Sequence, residues 1–226
     1  MPVDDASVSA AQGSVPSSLR SPPMLNRYAR AFFTKLFGPA AAGLLRLGVS
    51  PDAVTIVGTL GVATAALALY PTGHLLAGTL VITLFAFSDT LDGIMARASG
   101  RSGPWGAYLD STLDRVADAA VFGGLVLWFT GGGDDRPAAV LALACLVLGS
   151  VVPYAKARAE GVGMTADVGI AERADRLVAV LVATGLVGLG LPVVVLTVVL
   201  ALLAVASAVT VVQRMLTVRR QALARS

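Results

Sequence analysis

Charge is what this 226-residue chain has least of. Asp, Glu, Lys and Arg together make up 14% of it, against about a quarter in an average soluble domain. Between Asp52 and Asp89 there is no charged residue at all. So few charges beside 56% apolar residues cannot clothe a surface facing water, which excludes an ordinary cytosolic enzyme and a disordered chain alike. Cysteine is nearly absent too: the single Cys145 lies in an apolar stretch, rules out a disulfide framework and reads as a small buried residue. The one histidine, His74, falls in a turn and reads as an exposed loop residue rather than a metal ligand. Residues 1–23, rich in Ser, Ala, Pro and Gly, lack the apolar core of a signal peptide and are expected to form a disordered cytoplasmic tail.

What is present is the pattern of an all-α integral membrane protein, with a mean hydropathy of +0.79. Residues 24–47 interleave Arg27, Arg30 and Lys35 with Phe32, Phe33, Leu36 and Phe37, the mark of an amphipathic helix lying in the membrane interface. Residues 48–217 are read as a six-helix transmembrane domain. The charge-free run is divided by the turn signal Tyr70-Pro71-Thr72-Gly73, and further apolar stretches lie near 104–130, 138–155, 177–191 and 192–212. The last two are separated only by the turn signal from Gly188 to Pro192. Residues 218–226 are read as a basic cytoplasmic tail.

Threading six spans places every Lys and Arg except Arg136 at one membrane side, which the positive-inside rule makes cytoplasmic, together with both termini. The plasma membrane is the expected location. This sorting, rather than nucleic-acid binding, accounts for the net charge of +3. Trp105 and Trp128, about 35 Å apart along one helix, suit two interfacial belts or, equally, a packed core.

The few acidic residues are not scattered. Asp89, Asp92, Gly93, Ala96 and Arg97 share one helical face about 140° wide, and Gly106, Asp110, Asp114 and Asp118 share another about 120° wide. A short loop between the two helices makes them antiparallel neighbours whose faces confront each other. An Asp at a membrane helix centre costs about 2.5–3.5 kcal/mol, so Asp89, Asp92, Asp110 and Asp114 require counter-charge that Arg97 alone cannot supply. Oxygen-only ligation favours a hard divalent cation, Mg2+ or Mn2+, and four carboxylates suffice for one or two such ions with positions open to phosphate. A second cluster, basic this time, comprises Lys156 and Arg158, then Arg173 and Arg176, then Arg214. It could hold an anionic phosphate, or simply supply positive-inside charge.

The spacing D-x2-D-G-x2-A-R-x8-G-x3-D-x3-D, met here from Asp89 to Asp114, resembles the signature of the CDP-alcohol phosphotransferases. The resemblance implies a membrane enzyme that displaces CMP from a CDP-linked donor, with two metal ions and a homodimeric assembly. It implies that Asp89, Asp92, Asp110 and Asp114 bind metal and that Asp114 is also the general base. Gly93, Ala96, Arg97 and Gly106 would hold the CDP-diacylglycerol donor. Asp52 and Thr55, in the stretch Pro51-Asp52-Ala53-Val54-Thr55, match a nucleotide-contacting segment, although Asp52 could equally be a helix cap. The strings KARAE and ERxxR, with VQR at Val212 to Arg214, resemble the actinobacterial phosphatidylinositol phosphate synthases. That subfamily implies inositol phosphate as the acceptor, held by Lys156, Arg158, Arg176 and Arg214, with Arg173 a weaker candidate. Pro153 departs from relatives that can carry a polar residue before the tyrosine. A glycerol 3-phosphate acceptor remains an alternative within the family chemistry, and a divalent-cation transporter an alternative from another class.

Overall fold

The computed structural model describes residues 24–100, 103–170 and 172–225, with side chains from Lys35 onward. The expected tail at 1–23, and the side chains of Arg27, Arg30, Phe32 and Phe33, lie outside the described residues. Every regular element described is helical: α1 Met24–Arg46, α2 Pro51–Leu69, α3 Leu75–Ala86, α4 Ser88–Ala98, α5 Pro104–Thr130, α6 Arg136–Gly161, α7 Arg173–Gly188 and α8 Val194–Leu223. The turn signals stop the helices where the sequence places them. Gly73 adopts φ +80° between α2 and α3, and Gly190 adopts φ +107° between α7 and α8, in the left-handed region that favours glycine.

Four stretches are long and apolar enough to cross a membrane: α2, the combined Leu75–Ala98 of α3 and α4, α6 and α8. The expectation of six spans exceeds what length and composition establish. α5 has 27 residues but carries Asp110, Asp114, Arg115 and Asp118. α7 has only 16, about 24 Å of rise against a hydrocarbon core of about 30 Å. α6 and α8 both run past their apolar stretches. The expected tail from 218 onward instead continues α8 through Leu223, because Gln221 is tied to the α6–α7 loop. Its Oε1 accepts from the Thr165 N–H at 3.0 Å, and its Nε2 donates to the Thr165 carbonyl at 2.7 Å.

The centre is filled by Val62, Ala66, Tyr70, Ile82, Val121, Phe122, Leu125, Phe129, Val180, Leu196 and Leu200. Trp128 belongs to this core: it is buried and its ring lies 4.6 Å from that of Phe129, so the belt reading fails for it. Outward faces expose Leu60, Leu80, Leu84, Leu202 and Val205, an apolar surface suited to hydrocarbon rather than water. α1 lies on α4 through Ala41, Ile94 and Met95.

The α2–α5 contact carries the site above it and depends on the lack of a side chain at Gly124. A Cβ there would stand 2.4 Å from the Ala66 carbonyl oxygen, a backbone atom that can move only if a helix moves. Gly124→Ala is therefore expected to cost about 1–3 kcal/mol, the usual range for overpacking. A lower thermal midpoint in detergent checks this, and an unchanged midpoint defeats it.

Candidate active site

One cavity of about 390 Å³ opens among the ends of α2, α4 and α5. Ser50, in extended backbone, caps α2 by accepting from the Ala53 N–H at 3.1 Å. Asp52 is therefore not the cap. Its carboxylate lines the cavity and accepts from Trp105 Nε1 at 3.0 Å. One turn on, buried Thr55 donates to Asp92 Oδ2 at 2.5 Å, joining α2 to α4. The helical ladder is interrupted at Phe87, and α4 starts afresh at Ser88, which puts Asp89 and Asp92 in or near its first turn.

Asp52, Thr55, Gly93, Ala96, Arg97 and Gly106 all line this cavity, and so do Asp89, Asp92 and Asp110. Every residue matched to the donor is thus gathered with three of the four metal candidates. Asp114 stands deeper and shares a narrow cleft with Asp89 and Arg173. The expected direct packing of the two carboxylate-bearing helices is replaced by another arrangement. α2 packs against both α4 and α5, and its first turns line the space between their motif faces.

Counter-charge comes from α7. Arg173 Nη2 contacts Asp114 Oδ1 at 2.8 Å, its Nη1 contacts Asp89 Oδ2 at 3.4 Å, and its Nε contacts Asp118 Oδ1 at 3.3 Å. Arg115 adds a 3.6 Å contact to Asp114. Arg176, 1% exposed, pairs with Asp118 Oδ2 at 2.9 Å. Removing one member of such a buried pair costs about 3–5 kcal/mol. Arg97, proposed as partial counter-charge, is instead an exposed residue at the cavity rim.

The basic cluster divides into two. Arg173 and Arg176 stand beside the carboxylates. Lys156 pairs with Asp167 at 2.5 Å and reaches Glu160 at 4.0 Å, while Arg214 donates to the Val168 carbonyl at 2.9 Å and to that of Val152. Arg158 is exposed and joins neither group. Cys145 is buried, and exposed His74 bonds Thr72 at 2.9 Å, far in sequence from the carboxylates.

Sequence reasoning missed the roles of Arg173, Asp118 and Trp105. A signal existed for the first two: Arg173 and Arg176 are three apart, and Asp114 and Asp118 four apart, so each pair shares a helical face. Trp105 offered none, because its partner is 53 residues away.

Among the described residues no group of three or more His, Cys, Asp and Glu side chains closes around a metal position. The donor chemistry nonetheless fits a hard cation: the carboxylates of Asp89, Asp92 and Asp110 offer oxygen ligands only, in an open cavity that Gly93 and Gly106 also line.

The Asp167 carboxyl, fully exposed in the α6–α7 loop, is held below its ordinary pKa by the hydrogen bond and charge of Lys156, helped by Arg214. A depressed carboxyl keeps its pair at neutral pH and loses it only as pH falls through the lowered value. Lys156→Met is expected to raise the Asp167 titration toward the ordinary range, read by carboxyl carbon NMR. No shift would mean that the pair does not form in solution.

Residues 48–170 match the model of the CDP-alcohol phosphatidyltransferase family. The phosphatidylinositol phosphate synthase of Streptomyces avermitilis is 55% identical over 204 residues, covering 88% of this chain and 84% of the relative. That of Cutibacterium acnes is 49% identical, covering 84% and 96%. The crystal structure of Mycobacterium tuberculosis phosphatidylinositol phosphate synthase with CDP-DAG bound superposes with a TM-score of 0.78 at 45% identity, covering 81% of this chain and 94% of that one. The same enzyme in complex with manganese and citrate gives 0.77 at 46% identity, covering 80% and 88%. These likenesses set aside the cation-transport alternative. The chain is a membrane enzyme that belongs to the CDP-alcohol phosphatidyltransferase family.

Proposed function

We propose that the enzyme transfers the phosphatidyl group of CDP-diacylglycerol to inositol phosphate and releases CMP. One observation carries the reading: all the donor-matched residues and Asp89, Asp92 and Asp110 line a single cavity that adjoins Asp114 through Asp89. The names of the relatives support inositol phosphate over glycerol 3-phosphate.

Asp89, Asp92, Asp110 and Asp114 would hold divalent cations, Mg2+ or Mn2+, two in number for four carboxylates. Cations bound there supply charge neutralisation for the pyrophosphate and the departing CMP. Asp52, Thr55, Gly93, Ala96, Arg97 and Gly106 hold the CDP part of the donor, with Trp105 fixing Asp52. Asp114 takes the proton of the acceptor hydroxyl. That oxygen bonds to the phosphorus carrying diacylglycerol, and the bond from this phosphorus to the CMP oxygen breaks. Lys156, Arg158, Arg176 and Arg214, with Arg173, receive the acceptor's phosphate. Asp167 occupies Lys156 in the structure, so an incoming phosphate replaces one anion by another there.

CMP release from CDP-diacylglycerol in detergent, compared with inositol phosphate and with glycerol 3-phosphate, tests the assignment. Turnover is expected with the first, and turnover with glycerol 3-phosphate alone defeats it. Asp114→Asn is expected to lower kcat by about 10²-fold or more, the lower range for a general base; near-full activity would remove Asp114 from that role.

The unit at 48–217 is read as crossing the membrane six times with both termini and the cavity cytoplasmic, beside an interfacial α1, in a homodimer like its family members. In a Cys145→Ala background, a cysteine at Gly163 should react only with reagent on the cytoplasmic side and one at Asp134 only from outside. Labelling of both from one side would break the six-span reading.

A further inference from the structure

Asp118 has no place in the motif spacing, yet it is the most enclosed carboxylate of α5, one turn beyond Asp114 and 8% exposed. Its two oxygens are divided between two arginines at the start of α7. Oδ1 accepts from Arg173 Nε and Oδ2 from Arg176 Nη2. A carboxylate on Nε turns the other edge of the guanidinium fork away from itself. In Arg173 that edge faces Asp89 and Asp114, where the reacting hydroxyl must lose its proton. Arg176 is held by a second acceptor as well, the same Nη2 lying 3.4 Å from the Gly149 carbonyl, and among the described residues its buried Nε has no hydrogen-bond partner. Asp118 itself lines neither the donor cavity nor the cleft holding Asp114.

We propose that Asp118 is a positioning residue: it fixes the Arg173 and Arg176 guanidinium groups as a pair and so sets affinity for the phosphorylated acceptor without touching it. The inference rests on the proposed function, in which these arginines help to hold the acceptor's phosphate. Two long, flexible cations would otherwise spend much of their time elsewhere, and an anion bound to them would bear the cost of ordering them. Sharing one buried carboxylate settles that cost in advance. Its link to the donor side is thin: among the described residues Asp118 bonds none of Asp52, Thr55, Gly93, Ala96, Arg97 and Gly106, and it reaches the donor cavity only through the long 3.4 Å contact of Arg173 with Asp89.

Gly149 gives independent access to the same pair. A Cβ there would lie 3.1 Å from Arg176 Nη2 and 3.2 Å from its Cζ, so Gly149→Ala disturbs the guanidinium while every charge stays in place. KM is measured separately for inositol phosphate and for CDP-diacylglycerol with the wild type, Asp118→Asn, Asp118→Glu and Gly149→Ala. Asp118→Asn is expected to raise the acceptor KM about tenfold, the scale of one charge-assisted hydrogen bond, and to leave the donor KM within about twofold. Asp118→Glu is expected to recover part of the loss. Gly149→Ala is expected to raise the acceptor KM selectively, and decides the matter if Asp118→Asn does not fold. Donor and acceptor KM rising together, a fall in kcat alone, or an unchanged acceptor KM overturns the inference. A wild type that turns over only glycerol 3-phosphate overturns the functional reading instead, and the same four proteins are then compared on that acceptor.

Discussion

The pairing of charges inside an apolar helix bundle is the constraint on which the rest of this structure depends. α5 carries Asp110, Asp114, Arg115 and Asp118 within nine residues, of which Asp118 is buried and Asp114 and Arg115 are half-buried, where an unpaired charge is costly. Its inner charges can stay only if another helix supplies partners. α7 does so with Arg173 and Arg176, which is why a helix of 16 residues stands where it does. The same requirement keeps the cavity-bearing end of the bundle polar inside, and a polar interior open at one end is a place where a nucleotide pyrophosphate can enter. Stability and chemistry are therefore in tension at one locus. The carboxylates assigned to phosphoryl transfer under the proposed function are those that the fold must compensate.

Much of this was legible from residue order. The charge-free run from Asp52 to Asp89 and its Pro-Gly turn marked α2 and α3, and the fixed steps of three and four residues set Asp89 with Asp92, and Asp110 with Asp114, on shared faces. Those inferences succeed because helical periodicity is a local property. What escaped was non-local. Asp118 meets Arg176 across 58 residues and Trp105 meets Asp52 across 53, and no periodicity encodes which helix will lie beside which. The entry of α2 between α4 and α5 is of the same kind: a short loop implied neighbours, but the third partner decided that a cavity would lie between them. Trp128 failed as an interface marker because span position does not fix which way a ring turns, and here it turns inward onto Phe129.

Two halves of the site differ in how they are built. Under the proposed function the donor half rests on the first turns of α2 and α5 and on the whole length of α4, with Thr55 joining α2 to α4 directly. The acceptor half draws on α6, the loop after it, α7 and α8. Its basic residues are each engaged by a protein oxygen: Asp118, Asp167, or the carbonyls of Val152 and Val168. Among the described residues, exposed Arg158 stands apart. An anion arriving there meets cations already oriented by weaker or internal partners, which favours a doubly charged phosphate over a neutral polyol.

The attachment of the α6–α7 loop to α8 has a consequence for how this enzyme can vary. Among the described residues Gln221, Arg225, Arg214 and Thr210 grip the loop at Thr165, Gly163, Val168 and Ile170 through main-chain N–H and C=O groups, and Gln221 adds a long contact to the Thr165 hydroxyl. A main-chain atom is the same whatever side chain the residue bears. The loop's course is thereby set largely from α8, with Lys156 of α6 adding a hold on the Asp167 side chain. Substitutions at its exposed positions Thr165 and Val168 can retune what the acceptor meets without redrawing the path, whereas Gly163 and Gly169, at φ +71° and +149°, and buried Ala166 are bound to that path themselves.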